Sequence, residues 1–78
     1  MTPEQKTAAA RNLIENPLTL LLLHEMEQDA VDAIIGAKIT DDAKRAAYAA
    51  EVRAIRNFRD TLNLLLEEAK ASGTRAPA

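Results

Sequence analysis

Apolar residues in this chain recur at steps of three and four rather than at alternate positions, a period that predicts helices and no strands. Over residues 41–71, Tyr48, Val52, Ile55, Phe58, Leu62, Leu65, Leu66 and Ala69 collect on one side of a helical wheel. Within that set Ile55, Phe58, Leu62 and Leu65 alternate steps of three and four, the spacing of a seam that packs along another helix. Residues 17–35 are apolar around more of their circumference. Leu22, Met26, Ala30 and Ala33 form one stripe there and Leu20, Val31 and Ile35 a second, with Leu23 and Ile34 between them. Only Glu25, Asp29 and Asp32 make a clearly solvated ridge.

The ends of these segments carry helix punctuation. Thr2-Pro3-Glu4-Gln5 offers a capping threonine, a proline at the first helical position and a glutamine three residues after the cap; a first helix is expected over about 3–15. Asn16-Pro17 repeats the signal, because a residue before proline is biased away from helical backbone and the Asn16 side chain can cap a helix that starts at Pro17. Either a kink or a restart satisfies that dipeptide. The second helix is expected over 17–35, with Gly36 ending it in left-handed backbone and a turn at Ala37-Lys38-Ile39. Thr40-Asp41-Asp42 supplies a Thr40 cap and two carboxylates that oppose the helix dipole, opening a helix over about 41–71. Ser72-Gly73 ends it, leaving 74–78 as a flexible tail.

These elements predict an all-α fold in a single domain over 1–73. The short Gly36–Thr40 connection makes the second and third helices an antiparallel hairpin, joined by the short N-terminal helix. The first stripe of the second helix is expected to pack on the third. The other stripe needs the N-terminal helix or another chain, so oligomerisation or a partner is expected to complete the fold. Leu20, Leu23, Glu27, Val31, Ile34 and Ile35 are the candidate partner interface.

Size strengthens that expectation. A chain of 78 residues has a core of marginal stability, and with no cysteine neither disulfides nor cysteine-based zinc sites can support it. Ten Lys and Arg against twelve Asp and Glu give a net charge of −2, which offers no general attraction to nucleic acid or anionic lipid. The longest run of large aliphatic residues, Leu20–Leu23, is far short of the roughly 20 residues that span a bilayer. No secretory leader is read at the start, where residues 1–10 are polar and alanine-rich. The expectation is a soluble, unprocessed chain with no membrane contact.

Candidate chemistry adds little. His24 is the only histidine and lies beside Glu25 and Glu27, but the zinc-protease pattern requires a second histidine where Gln28 stands. The di-iron pattern needs a histidine three residues after a glutamate, and here His24 precedes Glu27. No metal or other cofactor is expected. Glu27 is expected instead to pair with Arg53, Arg56 or Arg59 on the third helix. The serine and the threonines have no nearby base and the carboxylates no cleft to perturb them, so no catalytic residue is assigned and the chain is not read as an enzyme. Arg45, Arg53 and Arg56 share a flank that could meet an anion or nucleic acid, which gives the alternative function of a small DNA-packaging or regulatory module. Glu51, Asp60, Glu67 and Glu68 share that helix, and neither a glycine-containing recognition turn nor interleaved aromatics accompany the arginines; a solvated mixed-charge face is the favoured account.

The stretch from Arg11 to Lys70 contains Asn-Pro-Leu after a short helix and an acidic second helix. Thr-Asp-Asp then precedes an alanine-rich turn, and Val-Arg-Ala-Ile-Arg-Asn-Phe-Arg enters a leucine run. In these features it resembles small helical proteins encoded among the head and packaging genes of tailed bacteriophages. The resemblance implies a non-enzymatic structural or assembly protein, a minor virion or head-morphogenesis component acting through helix–helix contacts. Its implied partners are further copies of itself or a larger virion structural protein. The implied location is the host cytoplasm during assembly and then the virion; without the resemblance the expectation is cytoplasmic. No binding residue is carried over from it.

Overall fold

The structure, a computed structural model, describes the backbone of residues 1–75 and the side chains of residues 1–71. It is all-helical, with α1 at Pro3–Glu15, α2 at Pro17–Gly36 and α3 at Asp42–Arg75, and no strand among the described residues. The caps explain most of these bounds. Thr2 Oγ1 accepts from the Gln5 N–H at 3.1 Å while Gln5 Oε1 accepts from the Thr2 N–H at 3.0 Å, so two backbone donors that no helix turn can satisfy are paired reciprocally. Asn16 has extended backbone, with φ −77° and ψ 115°, and works in both directions. Its N–H donates to the Asn12 carbonyl at 3.1 Å, and its Oδ1 accepts from the Leu18 N–H at 2.9 Å. The dipeptide is therefore a break between two separately capped helices.

Three boundaries differ from the sequence expectation. Gly36 closes α2 with no left-handed φ; the chain leaves the helix through extended backbone at Ala37, whose N–H donates to the Ile34 carbonyl at 3.3 Å. Asp41, not Thr40, caps α3, its Oδ1 accepting from the Lys44 N–H at 3.0 Å. A turn closed by the Asp41 N–H on the Lys38 carbonyl at 2.9 Å leaves Thr40 at its tip, and the carboxylate is the group in reach of the helix end. Finally, α3 continues through Ser72 and Gly73 to Arg75, since neither residue forbids helical backbone as proline does. The remainder of the expected tail, 76–78, lies outside the described residues.

α2 packs mainly on α3, and α1 touches both. The buried side chains are Ala10 of α1, Ala30 of α2, and Val52, Ile55 and Leu62 of α3. On α2 the inward strip runs Thr19, Leu23, Glu27, Ala30, Ile34, all buried or half-buried, through the middle of the two stripes the sequence separates. Each stripe is consequently split. Leu22 and Met26, expected against α3, are 46% and 52% exposed, and Leu20 and Ile35 of the other stripe are 48% and 76% exposed.

On α3 the inward row is Arg45, Tyr48, Val52, Ile55, Arg59, Leu62, Leu66 and Ala69, an unbroken alternation of threes and fours. Phe58, placed by apolar periodicity in the seam, is 47% exposed, because Arg59 holds the inward position beside it. The molecule is a rod of 61 × 21 × 20 Å. Its radius of gyration is 17.0 Å, against about 11.5 Å expected for a compact domain of this length.

Candidate functional site

A polar cluster that joins two helices centres on Glu27. It stands four residues after Leu23 and three before Ala30, inside the inward strip of α2, so its carboxylate meets α3 rather than water. Its side chain is 22% exposed; the Arg59 guanidinium donates to Oε1 at 3.0 Å, and Arg56 makes a looser contact to Oε2 at 3.5 Å. The Arg59 hydrogen bond holds the Glu27 pKa below its ordinary value, aided by the positive charge of both arginines and opposed by partial burial. Of the three arginines that sequence reasoning offered Glu27, Arg53 is the one that does not reach it. Removing either partner would leave a partly buried charge uncompensated between the two helices.

Arg45 has a different task from the flank assigned to it. Its guanidinium donates to the carbonyls of Lys38 and Ile39 and to the Asp42 carboxylate, clamping the α2–α3 turn to the first turn of α3. The flank Arg45–Arg53–Arg56 is thus divided: Arg45 holds the turn, Arg56 leans on Glu27, and only Arg53 has no ion pair among the described residues.

The expected partner interface is divided as well. Leu20 and Ile35 are exposed, Leu23 is half-buried, and Glu27 pairs within the chain. Val31 and Ile34, with Ala49 and Val52, line an open groove of about 540 Å³ along the α2–α3 boundary. Arg53, Arg56, Asn57 and Asp60 complete its lining. On the other side of the inward strip, Met26, Asp29, Ala30, Ala33, Tyr48 and Glu51 line a smaller depression of about 270 Å³. Leu18, Leu22 and Met26, one turn apart, stand beside it as an exposed ridge. Apolar periodicity placed Leu22 and Met26 against α3 and so missed this ridge; which face of α2 turns inward depends on its contact with α3.

His24 is exposed on α2, and among the described residues no three His, Cys, Asp or Glu side chains come together as a metal would require. No described helix is long and apolar enough to cross a membrane. No known protein family's profile matches the chain, and no curated protein or solved structure matches it either.

Proposed function

We propose that this chain is a non-enzymatic assembly protein whose α2 and α3 form an antiparallel hairpin that docks by helix–helix contacts on further copies or on a larger structural protein. The observation that carries the reading is the state of α2: Leu18, Leu20, Leu21, Leu22, Met26 and Ile35 all keep about half or more of their surface in water. Contiguous exposed apolar surface on a small chain marks an interaction face. The resemblance to small helical proteins of tailed-bacteriophage head and packaging clusters gives the setting: a minor virion or head-morphogenesis component, in the host cytoplasm during assembly and then in the particle. The nucleic-acid alternative is weaker, because two of the three arginines it relies on are engaged within the chain.

Two measurements test this together: sedimentation equilibrium over a wide concentration range, and mass spectrometry of particles purified from the native source. A mass above that of the monomer, or the chain retained in purified particles, supports the reading. A monomer at every concentration that is also absent from particles overturns it.

A further inference from the structure

We propose that a second copy of this chain lays the Leu18–Leu22–Met26 ridge of its α2 into the groove floored by Val31, Ile34, Ala49 and Val52, so that copies join head to tail. The inference rests on the assembly reading above and deepens it by naming the occupant and the two surfaces. Ridge and groove lie on opposite sides of the strip that α2 buries against α3: Met26 lines the depression with Tyr48 and Glu51, while Val31 and Ile34 line the groove with Val52 and Arg53. A contact between them uses different surfaces on the two copies, and repetition builds a ring or an open filament rather than a closed two-fold dimer.

Charge selects this pairing. α2 carries Glu25, Glu27, Asp29 and Asp32 and no lysine or arginine. Glu27 is matched inside the chain, while Glu25, Asp29 and Asp32 are exposed and have no ion pair among the described residues. Two α2 ridges facing each other across a two-fold axis would oppose carboxylate to carboxylate. The groove instead presents Arg53, which has no ion pair among the described residues, beside Arg56, which already leans on Glu27 at 3.5 Å, with Asp60 the one acid among its lining residues. Apolar ridge on apolar floor, with an acidic border against the uncommitted Arg53, is the complementarity that sets register and partner choice.

The available surface is sufficient. The chain exposes 6081 Å², whereas a compact protein of 8.5 kDa exposes about 4,700 Å². A copy inside such a ring or filament gives up both surfaces, and the excess, roughly 1,400 Å², allows about 700 Å² for each, at the lower end of the range for a specific interface.

The test is sedimentation velocity of the full chain with one variant on each surface, Leu22→Asp on the ridge and Ala49→Glu in the groove. Both sites are exposed, and circular dichroism checks that helicity is retained. The wild type is expected to reach masses beyond the dimer as concentration rises, and each variant alone to lose every species above the monomer. The equimolar mixture is expected to give a species at twice the monomer mass and none larger, since one chain keeps its ridge and the other its groove. Met26→Lys and Arg53→Glu repeat the test on the same two surfaces should either first variant lose helicity. A mixture that stays monomeric, or a variant that assembles like the wild type, overturns the proposal. A wild type that is monomeric throughout also overturns it, yet leaves docking on an unlike structural protein, and so the broader assembly reading, standing.

Discussion

Arg59 is the residue on which the interior of this molecule turns. It occupies an inward position of α3 between Ile55 and Leu62 and is tolerated there because Glu27 of α2 accepts its hydrogen bond at 3.0 Å. A half-buried pair of this kind adds little net stability, while removal of one partner leaves the other charge uncompensated. The pair also has a pH signature. Glu27 is held below the ordinary glutamate value of 4.5, so its contribution to folding is complete above that value and is lost as the pH falls below it towards the folded-state pKa. Thermal melts of the wild type and Glu27→Gln should therefore differ at neutral pH and converge as the solution is taken below pH 4.5; a constant gap would mean that Glu27 titrates alike in both states. Gly36 gives a prediction of opposite sign. It closes α2 in backbone that any residue adopts, and a Cβ there would meet nothing within 4 Å, so Gly36→Ala should stabilise the fold by about 0.4–1 kcal/mol through the unfolded chain's lost freedom, read as a higher urea midpoint.

At the level of elements, helix ends obey local chemistry and helix faces do not. The Thr2–Gln5 reciprocal cap and the Asn16 cap follow from side chains within three residues of the backbone they satisfy, which is why they are legible without a fold, although whether Asn16-Pro17 kinks or breaks the chain is not. The seam of α3 is a different case. Between Ile55 and Leu62, a wheel drawn from apolar residues selects Phe58, whereas the packed row passes through Arg59. The rows make opposite claims about truncation. Leu62 is 6% exposed and Phe58 47%; Leu62→Ala should cost roughly 2–5 kcal/mol, and Phe58→Ala, at low protein concentration, less than about 1 kcal/mol. Chemical denaturation of both variants decides between the two, and equal losses would restore Phe58 to the seam. The candidate site was legible to the same degree. Glu27 and its arginine partners are found because a carboxylate among apolar residues demands a cation, but which arginine answers depends on a rotation of α3 that only contact with α2 fixes.

The whole molecule is a rod with a thin interior. Among the described residues its buried side chains are three larger aliphatics and two alanines, and a chain of this size has little margin from burial alone. Stability should then depend on association. The melting temperature of the wild type is expected to rise with protein concentration, as it does whenever binding involves only the folded state, and this dependence should vanish in Leu22→Asp. A melting temperature independent of concentration in the wild type would assign the entire stability to the single chain.

The sequence by itself determined that this protein is helical, where its first two helices begin, and that it has an excess of apolar residues and no cysteine for cross-links. Each of these rests on interactions within one turn of chain or on a sum over residues, so no neighbour in space is needed to read it. Only the tertiary structure decided which strip of α2 turns inward, that Arg59 stands in the seam and Phe58 outside it, and that Arg45 holds the α2–α3 turn rather than a flank. Those outcomes depend on the relative rotation of helices with more than one apolar face. A rotation of a helix about its own axis alters no local propensity, and is fixed instead by long-range contacts such as Glu27 with Arg59 and by the small Ala30 that lets the two helices close together.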